Sequence, residues 1–272
     1  MSPPHVARKR RPIVGPHPKP WPSTPTAQLR ATPADKLVVM CGRFVSASPP
    51  SHIAAYFGAF LPETLLAPQY NAAPTDEVYG VVSTPAGRRL DVFRWGLVPW
   101  WSKDSKGAAR MINARAESLA DKPAFEKLLR TTRCIVPADG FYEWTTEPGV
   151  LNEKGKPAKL PYFIRRTDGE PLAFAGLWTT WRDPSQPSNY RLHSATIITT
   201  AANGTMARIH DRMPAILPST AWQQWLDPTN DDVESLVGLL TPAPDALLKL
   251  FRVSPEVNGS RANGPHLIES LR

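Results

Sequence analysis

Between residues 77 and 218 the sequence is a succession of short runs rich in β-branched and aromatic side chains, broken by proline, glycine and charge. Runs of this length and composition read as strands, because they suit a pleated surface buried on at least one face. EVYGVVS (77–83) and RLDVFRW (89–95) flank TPAGR and predict a hairpin with a short loop. RCIVPADGFYEW (133–144), PYFIRR (161–166), LAFAGLWTTW (172–181), LHSATIITTAA (192–202) and RMPAILP (212–218) are further candidate strands. Helices are few. DKPAFEKLLR (121–130) has Asp121 as cap, Pro123 in the first turn and Phe125, Leu128 and Leu129 on one face. STAWQQWLD (219–227) repeats the logic with Ser219 as cap, and DDVESLVGLL (231–240) is a third. Strands do not alternate regularly with helices. The pattern therefore predicts an α+β fold, mainly antiparallel, with a barrel-like sheet flanked by a few short helices in a single domain over residues 40–272. EPGVLNEKGKPAKLP (147–161) reads as a polar loop and a point of insertion.

The charge is unevenly placed. The formal charge of the 272 residues is +8, but residues 1–40 hold seven Lys/Arg against Asp35 alone, leaving +2 for residues 41–272. Bulk charge thus gives the patterned part no claim on nucleic acid; particular arginines and aromatics must carry one. Residues 1–40 also hold nine of the 31 prolines and little apolar periodicity. Such a segment buries too little surface to offset its ordering entropy, so residues 1–39 are expected to be a disordered basic extension. RKRRP (8–12) is followed by PIVGPHPKPWPS rather than an apolar stretch, which argues against a secretion signal. No apolar run approaches the ~18 residues of a membrane span. Cys41 and Cys134 are expected to be reduced thiols in a cytoplasmic protein, and their surroundings match no zinc pattern.

Several stretches carry residues of the kind that do chemistry. VVMCGRFVSAS (38–48) puts Cys41 directly after Met40 and before Gly42 and Arg43. Cys41 is either a small apolar residue opening a strand or the working N-terminus of the protein. WGLVPWWSKD (95–104) has adjacent Trp100 and Trp101, which on an extended segment face opposite ways. They are a cluster capping the sheet or a platform on which bases stack. MINARAES (111–118) spaces Asn113 and Arg115 so that an extended segment presents both on one face, suited to a sugar–phosphate edge. ADGFYEW (138–144) surrounds Glu143 with apolar groups, so its carboxylate is paired with an arginine or works as a general acid/base. IHDRMP (209–214) places His210 beside Asp211 and Arg212, a structural histidine or a proton-transfer group.

Taken in order, MCGRF (40–44), YNAAPT (70–75), RWGLVPWW (94–101), INARAES (112–118), RCIVPADGFYEW (133–144), FAGLW (174–178), TTAAN (199–203) and IHDRMP (209–214) closely resemble the SRAP family, whose members process abasic sites in DNA. The resemblance implies that Cys41, exposed as an N-terminal residue, forms a thiazolidine crosslink with the aldehyde of a ring-opened abasic site in single-stranded DNA. It implies Glu143 as general acid/base, His210 as its partner in ring opening and reversal, and Asn113 as the residue orienting the Cys41 terminus. Arg43, Arg115 and Arg212 would hold phosphates. Trp100 and Trp101 would stack beside the lesion, and Asn71 and Pro74 would complete the DNA-binding face. The chemistry stands without the analogy. An α-amine of pKa about 8 attacks an aldehyde and the β-thiol then closes a five-membered ring, which an internal cysteine with its amide nitrogen cannot do.

The resemblance implies no cofactor or metal, a monomer, no membrane and a cytoplasmic protein that joins the nucleoid when bound to DNA. Two other functions compete with the crosslinking, lyase-type enzyme: a thiol autopeptidase that cuts before Cys41, and a non-covalent single-strand binding module. The residues before Met40 depart from the family pattern. An upstream start, removal after translation and a loss of crosslinking each account for them, and the first ranks highest because methionine precedes CGRF.

Overall fold

The computed structural model describes residues 42–187 and 189–271. The extension expected over residues 1–39, and Cys41 itself, lie outside them.

The described chain opens with β1 (Phe44–Ser46), α1 (Pro50–Phe57), β2 (Ala59–Phe60) and β3 (Gln69–Ala72). The expected hairpin follows as β4 (Glu77–Thr84) and β5 (Gly87–Trp95), joined at Pro85–Ala86, with Gly87 at φ 126° making the exit that a side chain would disfavour. Next come β6 (Asn113–Arg115), α2 (Glu126–Thr131), β7 (Arg133–Ala138), β8 (Gly140–Thr145), β9 (Leu160–Arg166), β10 (Leu172–Trp181) and β11 (Leu192–Ala201). The chain then runs through β12 (Arg212–Pro214), α3 (Trp222–Leu226), α4 (Val233–Gly238) and β13 (Leu248–Arg252).

Two sheets result. The smaller is wholly antiparallel, in the order β13-β9-β8-β1-β3. The larger runs β12-β11-β10-β7-β4-β5-β2, with β6 beside β11. A second pairing, β11 with β5 through Ser194–Arg94 and Ala195–Trp95, closes β5, β4, β7, β10 and β11 into a ring. The mainly antiparallel, barrel-like architecture expected from the strand runs is therefore the observed one.

Period-2 alternation along the ring strands feeds two cores. Tyr79, Val81, Leu90, Ile135, Ala175 and Leu177 face the helices, where Phe57, Leu129, Trp222 and Trp225 cover them. Val78, Val82, Phe93, Val136, Phe174 and Ile197 face the other way and meet Phe44, Phe141 and Ile164 of the smaller sheet. Both faces are covered, which is why these runs read as nearly continuous apolar sequence.

Three expectations need correction. RCIVPADGFYEW is two strands in different sheets, with the switch at Asp139. The Asp139 carboxylate accepts from the Ala47 and Ser48 amides, at 2.7 and 2.9 Å, and from the Ser48 hydroxyl, pinning the corner. Asp121 does not cap a helix over 121–130; α2 starts at Glu126 behind Phe125. Pro123 biases Lys122 away from helical geometry, so the segment before Phe125 is turn. Ser219 likewise caps nothing; residues 219–221 form a 3-10 turn leading into α3. The helix expected at 231–240 is α4, capped by Asp232, whose Oδ1 accepts from the Glu234 and Ser235 amides. Sequence reading missed α1, although PPSHIAAYFG carries Pro50 at its start and Gly58, in the left-handed region at φ 60°, at its end.

Candidate functional site

The antiparallel register of β1 against β8 pairs Phe44 with Phe141 and Val45 with Gly140, and the Tyr142 amide donates to the Arg43 carbonyl at 3.0 Å. Continued by one step, that ladder sets Gly42 opposite Glu143. The residue after Cys41 is thus carried to the strand that bears the carboxylate. Glu143 lies on the same face of β8 as Phe141 and is only 3% exposed.

Arg43 is half-buried. Its guanidinium donates to Asn71 Oδ1 at 2.8 Å and to the Val257 carbonyl at 3.2 Å. Burial lowers its pKa, and the charges of Asp76 and Tyr142 oppose that shift. Asn71 is buried, and its Nδ2 donates to the carbonyls of Val257, Gly259 and Ala262. Its amide therefore ties the C-terminal segment to Arg43. Pro74 is half-buried beside Thr75, which holds φ 81°, a strained value for a β-branched residue. Backbone bonds on either side fix that turn to Trp95: the Thr75 amide donates to the Trp95 carbonyl and the Trp95 amide to the Asp76 carbonyl, both at 2.8 Å.

An open groove of about 910 Å³ runs from this point, lined among others by Gly42, Arg43, Pro74, Trp144, Lys154 and Lys159. Its lysines come from the 147–161 loop, which sequence reading took only as a point of insertion. The clue was local: Lys154, Lys156 and Lys159 are spaced along a loop that leaves the strand bearing Glu143.

A second group gathers at one end of β11. Parallel pairing sets Asn113 beside Ile197 and Arg115 beside Thr199. Ala114 between them is buried, so Asn113 and Arg115 do share a face, as their spacing implied. On the other flank β12 pairs Arg212 with Ala201. The Arg212 amide donates to His210 Nδ1 at 3.0 Å. His210 Nδ1 also lies 3.0 Å from Asp211 Oδ1, but a backbone N–H can only donate. In neutral His210 the proton therefore resides on Nε2. The Arg212 guanidinium forks onto the Glu117 carboxylate, Nη2 to Oε2 at 2.9 Å and Nη1 to Oε1, and donates from Nη2 to the Thr199 carbonyl at 2.8 Å. Sequence reading missed Glu117, though it stands inside the INARAES motif two residues after Arg115.

One core holds both groups. Phe44, Ile112, Phe141 and Met213 belong to a single buried cluster against which Ile209 packs; Arg43, Asn113, Arg212 and His210 each adjoin one of these residues in sequence, and Glu143 lies two residues beyond Phe141. Trp95 belongs to it, edge-on to Phe44 at 4.9 Å and donating from Nε1 to the Ile112 carbonyl at 3.0 Å. Gly96, at φ 123°, then turns the chain where a Cβ would lie 2.6 Å from the Ala108 carbonyl oxygen. The turn leads to Trp100 and Trp101, 64% and 49% exposed and packed edge-on to each other at 5.5 Å. Neither belongs to the core, and both offer aromatic surface to solvent.

The model of the SOS response associated peptidase (SRAP) family matches residues 40–260. The chain belongs to the SRAP family. This SRAP chain is 42% identical over 233 residues to abasic site processing protein YoqW of Bacillus subtilis, covering 85% of this chain and all of that one. It is 30% identical over 234 residues to abasic site processing protein HMCES of Xenopus tropicalis, covering 75% of this chain and 66% of the relative. Among solved structures, a crystallised protein from Bacteroides thetaiotaomicron matches with a TM-score of 0.73 and 25% identity, over 85% of this SRAP chain and all of that one.

Proposed function

We propose that this SRAP chain captures abasic sites in single-stranded DNA as a covalent thiazolidine at Cys41, shielding the lesion during the response to DNA damage. The observation that carries the reading is the β1–β8 ladder, extended by the Tyr142–Arg43 hydrogen bond, whose continuation brings Gly42, the residue after Cys41, towards the buried Glu143. The names of the relatives supply the lesion.

The steps balance without an oxidant. The α-amine of a chain beginning at Cys41 adds to the C1′ aldehyde of the open deoxyribose. The carbinolamine loses water to give an imine. The thiol sulfur then bonds to the imine carbon, and its proton passes to nitrogen. Glu143, 3% exposed, takes and returns the protons of addition and dehydration. His210, with Nε2–H as donor, protonates the ring oxygen as the sugar opens and assists reversal. Asn113 orients the amine. Arg43, held by Asn71, and Arg115 bind phosphates; Pro74 and the groove take the strand beside the lesion; Trp100 and Trp101 stack on bases.

The test uses a chain beginning at Cys41, its Cys41→Ala variant and the full-length chain, each mixed with an abasic single-stranded oligonucleotide. A band that survives denaturation, formed by the first and not by Cys41→Ala, is the expected result; intact mass should show the adduct less one water. An uncut full-length chain should form none, because its Cys41 nitrogen is an amide. A stable adduct on that uncut chain would sink the N-terminal-amine mechanism. Salt-sensitive binding without any covalent band would favour a non-covalent module. A spontaneous cut after Met40 that Cys41→Ala abolishes would establish autopeptidase activity.

A further inference from the structure

The seat that a phosphate would take on Arg212 is already filled by a carboxylate. Glu117 meets Arg212 with both oxygens, in the planar two-point geometry by which guanidinium also grips phosphate. The Thr199 carbonyl accepts a further hydrogen bond from Arg212 Nη2 at 2.8 Å, with Thr199 Oγ1 at 3.4 Å, so the guanidinium has little freedom to turn elsewhere. Arg212 Nε is buried, with no partner among the described residues. The Arg212 side chain is 13% exposed and Glu117 55%, so the carboxylate stands between the guanidinium and solvent. Arg115, exposed on the adjacent strand, adds its charge to the field on Glu117. At this end of β11 two cations therefore share one anion.

We infer that Glu117 is a specificity-determining residue: it stands in for phosphate on Arg212 and lowers affinity for undamaged single strands. Resting on the DNA reading above, the inference adds the term that separates binding from capture. A strand reaching this face must displace or share Glu117, exchanging one anion on Arg212 for another. Such an exchange releases little counterion free energy. Intact strands then leave readily, while an abasic strand is retained by its covalent bond. Discrimination rests on chemistry at Cys41 instead of on contacts that every strand offers.

The experiment measures the affinity of full-length protein and Glu117→Gln for an undamaged single-stranded oligonucleotide across a salt series, by fluorescence anisotropy. Glu117→Gln keeps the shape and removes the charge. It should bind roughly 3- to 10-fold tighter at low salt, with the slope of log K against log[salt] steeper by about 0.7, the increment for one more phosphate on a single strand. Adding Arg212→Gln to Glu117→Gln should abolish both gains, a result that mere surface destabilisation would not produce. Glu117→Ala provides a second removal of the charge and should move both quantities in the same direction. Weaker binding by Glu117→Gln would overturn the inference and make Glu117 a residue that aims Arg212 at the strand. An unchanged affinity and slope, where the chain beginning at Cys41 still crosslinks abasic DNA, would overturn this inference alone. No DNA affinity in either protein would overturn the DNA reading and this inference with it.

Discussion

Glu143 stands within β8 with 3% exposure, opposite the backbone that leads to Cys41. Glu143→Gln removes the proton shuttle with little change of shape. It should slow crosslinking by about 10²-fold or more while the affinity for abasic DNA barely moves. Equal losses in rate and affinity, compared by single-turnover kinetics and anisotropy, would mark Glu143 as a structural partner instead. Trp100 and Trp101 make the opposite case. Their exposure means that Trp→Ala at either should weaken strand binding by about 1–3 kcal/mol and leave the melting temperature nearly unchanged. A collapse in thermal stability would return them to the core. Cys134 is fully buried, and burial pushes its thiol pKa far above the ordinary value. It should resist alkylation in the native protein and react only after denaturation, as followed by mass spectrometry. The Glu117 carboxyl is held below its ordinary value, chiefly by the hydrogen bonds from Arg212. A depressed carboxyl contributes its stability above the unfolded pKa and loses it as pH falls through the folded one. NMR titration should find Glu117 ionising below an ordinary glutamate, so that the pair outlasts exposed carboxylates on acidification.

Among the elements, β8 depends most on one small residue. A Cβ on Gly140 would lie 2.3 Å from Phe163 Cζ and 2.6 Å from the Ile164 carbonyl oxygen. Gly140→Ala should therefore destabilise the fold by about 1–3 kcal/mol or more, measured by denaturant unfolding, because strand β9 cannot withdraw without losing its ladder to β8. Since β8 also carries Glu143, the same variant should lose crosslinking rate in excess of its loss of folded protein. The hairpin β4–β5, by contrast, was readable as two strand runs flanking TPAGR, although the structure carries both strands into that stretch and leaves only Pro85–Ala86 as the connection. The helices were readable only in part. Their apolar faces were visible at Leu128, Leu129, Trp222 and Trp225, but Asp121 and Ser219 were mistaken for caps, since a capping residue acts only where the backbone beside it turns helical.

At the scale of the whole molecule, charge divides unevenly between the first 40 residues and the rest, +6 against +2. A chain beginning at Cys41 should accordingly bind undamaged single strands more weakly than the full-length chain and with a shallower salt dependence. Both differences should shrink as ionic strength rises, because exposed charges act through a screened field. Equal slopes for the two lengths would show that the site arginines alone contact phosphate. Among the described residues, no helix is long and apolar enough to cross a membrane.

What sequence alone determined was local and chemical. The strand runs, the shared face of Asn113 and Arg115, the apolar setting of Glu143 and the ordered motifs of the SRAP family could all be read along the chain, because periodicity and residue type are local properties. Tertiary structure decided which of these groups meet. Asp139 sends one continuous apolar run into two sheets, and a ladder between residues about a hundred positions apart sets Gly42 against Glu143. Nothing local marked Asn71 as the support of Arg43, or Glu117 as the anion on Arg212, 95 positions away. A hydrogen bond between distant positions forms only when packing has brought its partners within about 3 Å, and neither residue announces the other in the sequence.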